Sequence, residues 1–259
     1  MCLLAACWFA GDAAARGADG KFEKRTSSHF VLYQDVAIDE ASGLRGSRRF
    51  EQLVLAELET AYDRLQALLG LEPPRPLDVV IYDPAVFDRQ FAGLFRFPAA
   101  GFYGGVICVR GDTVLGVSLS RVLHHELVHA ALDAAMPSTQ LPAWLNEGLA
   151  EWFEARASGK RYLTERELAV LGHYRQQGAL FSLAQLSAPS FGGFGPNAAA
   201  LAYLQSYGML EHLSRLSGER ALRVFVEEIV RTRNLPRAMQ RAFRADLPEL
   251  EAGFQAGLG

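Results

Sequence analysis

His125, Glu126 and His129 stand in the order H-E-x-x-H. On a helix, residues four apart share a face, so this spacing aims both imidazoles the same way. Two nitrogen ligands side by side suit a zinc ion, and Glu126, between them in sequence, can hold a water on the metal. The implied chemistry is hydrolysis by an activated water, with Glu126 as general base. The bland alternative is a helix with two polar residues facing a neighbour or solvent. The flanks Val122, Leu123, Leu127, Val128, Ala130 and Ala131 are apolar, which predicts a largely buried helix. Buried histidine and glutamate side chains are costly unless they have partners, and a metal with its water would satisfy all three.

A catalytic zinc commonly takes three protein ligands and keeps one position for water. Seventeen residues separate His129 from Glu147, which lies in the segment LPAWLNEGLAEWFE, 141–154. Pro142 suits the first turn of a helix. Trp144, Leu145, Leu149, Trp152 and Phe153 are its apolar positions, and Glu147 and Glu151 fall one turn apart on one face. Glu147 is the expected third ligand. Glu151 is expected to accept the other ring N–H of a ligand histidine and so fix its tautomer. Gly148 removes a side chain beside the metal and lets helices approach. A solvated helix face is the competing reading of both glutamates; it requires an exposed face on a helix carrying two tryptophans.

H-E-L-V-H followed by W-L-N-E-G-L-A-E-W resembles the gluzincin metallopeptidases, the thermolysin and aminopeptidase-N-like group. There the third ligand is the Glu of an N-E-G-x-A segment on the second helix. The gap of seventeen is one residue shorter than the aminopeptidase pattern. The G-x-M-E-N segment with which aminopeptidases hold a free N-terminus is not visible, which argues against exopeptidase activity. The chain is more closely similar to small, mostly bacterial peptidase MA-like domains. The likeness rests on Gly101-Phe102-Tyr103 before the motif and on an A-Y-x-x-S-Y segment, 202–207, after it. It runs from about residue 28 to the C-terminus. It implies an α+β, zincin-like fold: a small mixed sheet packed on the HExxH helix, then an all-helical lobe, with a cleft between them. It also implies one Zn2+ per chain and a peptide or protein substrate. In related peptidases a Tyr or His from the C-terminal lobe steadies the tetrahedral oxyanion; here Tyr207 is the first candidate and Tyr203 the second, each with an ordinary core role as its alternative.

Gly101 to Gly111 reads as a strand or tight hairpin. A peptide could add along the edge formed by 101–109, with Gly104, Gly105 and Val106 as the close-approach segment. Two other classes compete with the enzyme: a catalytically silent binding module on the same fold, and a metal-stabilised structural domain. Glu126 discriminates, because a structural zinc site is usually closed by four protein ligands and has no use for a base. A zinc amidase acting on cell-wall peptides remains an alternative within the enzyme class.

The remaining elements must position these residues. A strand is expected over 29–37, then a helix from Ser47 to about Leu69, stopped by Gly70, with Phe50, Leu53, Val54, Leu58, Ala61, Leu65 and Leu68 as its stripe. A buried strand follows over 77–82, a short helix over 85–95, and a further short strand over 114–119. The motif helix is expected over about 120–136. This half forms a mixed sheet covered on one face by helices. Beyond it come a helix from 164 to about 176 capped by Thr164, and a glycine-rich loop, 191–196, at the rim of a cleft. Helices over 197–216 and 218–231 follow, then one or two over 235–256. His124 points about 100° from His125 and is expected to pack or lie on the surface. His29, His173 and His212 lack ligand spacing, although His212 could line the cleft.

Half of the 259 residues are hydrophobic and 21% are charged, which marks a globular chain. The net charge of −3 argues against nucleic-acid binding. Three stretches are expected: 1–27, a signal-like segment and linker; 28–136, the α/β lobe with the HExxH helix; and 137–259, the helical lobe with the third ligand. Leu4-Ala5-Ala6-Cys7 looks like a lipoprotein lipobox, with Cys7 as lipid anchor and the only membrane link. That implies an exported, periplasmic or membrane-anchored protein, the alternative being cytoplasmic. Cys108, within an apolar run, reads as a small core residue.

Overall fold

The computed structural model describes residues 22–36, 47–94, 96 and 98–258. The lipobox-like segment with Cys7 lies outside them. Two compact units emerge: one runs up to Arg64 and over Pro73–Ala134, the other comprises Leu65–Glu72 and Ala135–Gly259. The fold is α+β, a five-stranded mixed sheet followed by a mostly helical stretch.

In the first unit the strands are β1 (Glu23–Thr26), β2 (Phe30–Gln34), β3 (Leu77–Tyr82), β4 (Gly101–Tyr103) and β5 (Ile107–Arg110), in the order β1-β2-β3-β5-β4. β2, β3 and β5 run parallel, and β1 and β4 close the two edges antiparallel. Parallel neighbours need a long crossover; helix α1 (Ser47–Leu69) supplies the one between β2 and β3. Gly70 ends α1 in the left-handed region at φ 67°, its N–H donating to the Gln66 carbonyl. The buried stripe of α1 includes Leu55, Tyr62 and Leu69, while Leu53, expected inside, is 49% exposed.

Alternation along the strands builds two faces. Leu32, Val79 and Ile107 align in register, as do Ile81 and Val109, and all are fully buried. On the opposite face Val80, Cys108 and Phe102 align. Helix α2 (Pro84–Gln90) packs Val86 and Phe87 there, with Phe91, Phe102 and Tyr82 ring to ring. Helical cover is therefore not confined to one face, because the aromatic side chains of alternate strand positions need burial of their own. Asp83 caps α2 through the N–H groups of Ala85 and Val86.

Helix α3 (Val117–Ala135) carries the motif and begins where a short strand was expected. Val114 and Val117 are 62% and 76% exposed, so the alternation that favoured a strand buries nothing, and the Ser120 N–H already donates to the Gly116 carbonyl.

The second unit holds α4 (Ala143–Ala157), α5 (Glu165–Gln176), α6 (Leu183–Leu186), α7 (Pro196–Ser217), α8 (Glu219–Thr232), α9 (Leu235–Phe243) and α10 (Leu247–Ala256). Pro142 stands just before α4, as its cap residue, rather than in its first turn. Thr164 and Glu167 form a capping box on α5. α4 packs on α7 through Gly148, where a Cβ would lie 2.6 Å from Leu210 Cδ2 and 2.9 Å from the Ser206 carbonyl. The close approach that this glycine permits is thus to α7. No helix among the described residues is long and apolar enough to cross a membrane.

Candidate active site

From Leu123 to Leu132, α3 is buried at every position except His125 and His129, which are half-buried. The two imidazoles lie on one face, centroids 4.9 Å apart and planes at 74°. Glu126, 6% exposed, turns to the sheet side, where a Cβ on Gly101 would lie 3.3 Å from its Cγ. Edge strand β4 therefore passes close over the Glu126 side chain, and only a glycine at 101 leaves room, since that Cβ would also meet Val122 at 2.6 Å. The Tyr103 hydroxyl donates to Asp133 at 2.8 Å, tying β4 to the last turn of α3. Asp133 was not among the expected residues; no motif marks it.

Gly104, Gly105 and Val106 form the turn of the β4–β5 hairpin, closed by the Gly104 N–H donating to the Val106 carbonyl at 3.1 Å. Gly105 is at φ 88°, so the turn itself requires a glycine there. The strand edge is 101–103. His124 is buried and pairs with Glu57 at 2.9 Å, a packing role. His29 pairs with Glu59 at 2.6 Å and stacks on Tyr62.

On α4, from Ala143 to Ala155, only Asn146, Glu147 and Glu151 escape full burial. The two glutamates thus share the one polar face of a helix whose tryptophans are fully buried. Glu154, also on α4, is 6% exposed and was not anticipated. The first unit thus offers two half-buried imidazoles on α3, and the second offers the half-buried carboxylates of Glu147 and Glu151 with the buried one of Glu154 on α4. Half-buried nitrogen and oxygen donors on otherwise buried helices fit a borderline metal such as zinc.

Tyr203 and Tyr207 both lie on α7. Tyr203 is half-buried, edge-on to Phe191 at 5.5 Å. Phe191 is fully buried and anchors the glycine-rich loop. Tyr207 is 3% exposed, with Lys160 over its ring at 4.4 Å. Burial first, and then the charge of Glu211, push its phenol well above the ordinary range, while Arg156 pulls the other way. Burial and Arg215 lower the His212 imidazole, which sits against Gly253 and Phe254 of α10.

The family model described as Peptidase MA superfamily matches residues 58–258. The chain belongs to the Peptidase MA superfamily. It is a peptidase-like, zincin-type domain, and the superfamily is typically metal-dependent and acts on peptide or protein substrates. Within this Peptidase MA domain the match takes in α3, α4 and α7 whole, and with them every candidate catalytic and ligand residue. No curated protein matches the sequence.

Proposed function

We propose that the protein is a zinc-dependent endopeptidase in which His125, His129 and Glu147 hold the metal and Glu126 is the general base. The observation that carries this reading is the motif helix itself: between Leu123 and Leu132 its two half-buried positions are the two histidines, and the buried Glu126 side chain lies against an edge strand. Bound zinc would supply a water with its pKa lowered to about 7 and would polarise the scissile carbonyl. Glu126 takes the proton of the attacking water and delivers it to the leaving nitrogen. Burial beneath β4 keeps bulk water from that carboxylate. The edge of β4 offers main-chain hydrogen bonds to an extended peptide of any sequence. Glu151 orients a ligand imidazole. A tyrosine of α7 donates to the oxyanion; the partial exposure of Tyr203 favours it over Tyr207. The absence of a G-x-M-E-N segment supports endopeptidase action. The Leu4–Cys7 segment supports export and lipidation, which the intact mass of the cellular protein would test.

The decisive experiment pairs metal content with cleavage of a peptide library. Wild type should carry about one zinc per chain, and His129→Ala should lose it. Glu126→Gln should keep the zinc and lose cleavage by about 10²–10⁴-fold. Folded wild-type protein that takes up no zinc when supplied with it would overturn the reading. Zinc uptake without cleavage would favour the binding module.

A further inference from the structure

The second unit carries a basic cavity that peptide hydrolysis does not use. Glu228 on α8 is 3% exposed. Its Oε1 accepts from Arg231 at 2.6 Å and from Arg237 at 2.9 Å, and its Oε2 pairs with Arg241 at 3.4 Å. The hydrogen bond from Arg231, the largest influence, and that from Arg237 hold its carboxyl below the ordinary range despite burial. Beside it lies a shallow, solvent-open cavity of about 620 Å³ lined by Val224, Glu228, Arg237, Gln240, Arg241 and Arg244, with the Arg237 and Arg241 side chains 62% exposed. Two left-handed residues shape it. Arg233, at φ 55°, ends α8 so that α9 follows at once, and Arg244, at φ 58°, ends α9 at the cavity wall.

The charges do not balance. Arg231, Arg237, Arg241 and Arg244 face one carboxylate, in a chain whose overall charge is −3. Arg237 and Arg241 turn only Nε toward Glu228. Their terminal nitrogens, and the guanidinium of Arg244, make no hydrogen bond among the described residues. A guanidinium presents a planar fork of donors that matches two oxygens of a tetrahedral oxyanion, and such charge-assisted pairs are the strong ones. Glu228 gathers the arginines while leaving a net charge that one carboxylate could not neutralise. A dianionic group could come closer.

We infer that the Arg237–Arg241–Arg244 cavity binds a phosphate monoester group, borne by a phosphorylated small molecule or by a lipid headgroup. Glu228 is the organiser that sets the guanidinium forks, and Gln240 adds an amide.

The test titrates the full chain with inorganic phosphate by calorimetry and, separately, measures sedimentation with phosphatidylcholine vesicles with and without phosphatidic acid. Saturable binding should appear in one arm or both. It should weaken roughly tenfold in Arg241→Gln or Arg237→Gln, the loss expected for one charge-assisted hydrogen bond. Arg166→Gln, exposed on α5 and not part of the cavity lining, should bind as wild type. His129→Ala should also bind as wild type, which separates this site from phosphate held on a metal. Binding to phosphate assigns a free ligand; binding to phosphatidic acid vesicles alone assigns a headgroup. No saturable binding in either arm, or binding that persists unchanged in Arg237→Gln and Arg241→Gln, would overturn the inference.

Discussion

Replacing Arg156 by Met should destabilise the helical unit severely, and a second substitution should rescue it. Arg156, near the end of α4, has 6% of its side chain exposed. It donates to Glu211 at 2.7 Å, to Glu219 at 2.8 Å and to the Lys160 carbonyl at 3.1 Å, and lies 4.7 Å from the Trp152 ring. Met keeps much of the apolar contact with Trp152 but removes the charge. Glu219 is a third exposed and keeps Arg161 at 3.4 Å, so water and Arg161 take it over. Glu211 has no such exit: its side chain is 6% exposed and, among the described residues, its Oε1 has no hydrogen-bond partner even with Arg156 present. Stranding one partner of a buried pair costs about 3–5 kcal/mol. For a chain of this size that is a fall in Tm of roughly 6–20 °C. Removing both charges is often close to neutral, so Arg156→Met with Glu211→Met should return to within about 1 kcal/mol of wild type. Urea unfolding followed by tryptophan fluorescence reads the right unit, since Trp144 and Trp152 are both fully buried in α4. The reasoning fails if the single variant loses less than about 1 kcal/mol, or if the double variant falls as far as the single.

Gly101→Ala puts a methyl 2.6 Å from Val122 and 3.3 Å from Glu126 Cγ, so kcat for peptide cleavage should drop while zinc content stays; equal kcat in both proteins would show that β4 does not constrain the base. Tyr203→Phe should lower kcat by about 10²-fold with KM little changed, as loss of an oxyanion donor does, and the same result from Tyr207→Phe instead would move the role one helical turn along α7. Burial raises the Glu59 carboxyl, but the nearby Ser27 hydroxyl and the hydrogen bonds with His29 outweigh it and lower the pKa from 4.5. A depressed folded pKa stabilises above the unfolded value and is lost as pH falls through the folded one. The stability gap between wild type and Glu59→Gln should therefore be widest above pH 4.5 and close in acid; a gap independent of pH in urea titrations would contradict this.

Much of the site's local construction is legible because it depends on spacing alone. His125 and His129 share a face since they are four apart on a helix, and the apolar residues around them bury the rest of it. Thr164 announces a helix cap, and Gly70 a helix stop, through backbone chemistry confined to a few residues. Legibility fails where local preference and tertiary burial diverge. Val114 and Val117 favour a strand, yet no neighbour covers them, and the helix starts instead. β1, Glu-Lys-Arg-Thr, has no apolar alternation to reveal it, because an edge strand is held by its ladder to β2 and by the ion pair of Arg25 with Glu51.

The sequence by itself determined the motif helix, the polar face of Glu147 and Glu151 and the order of the main elements, all products of periodicity and short-range capping. Only the tertiary structure decided that β4 crosses over Glu126 at Gly101, that Gly148 serves the contact with α7, and that Tyr207 is buried beside a charged cluster. It also brought Arg156 to Glu211 and Glu219, 55 and 63 residues away, and folded Arg237 and Arg241 back onto Glu228. The reason is physical: a periodicity says which side of an element is buried, and chain folding alone says what it is buried against.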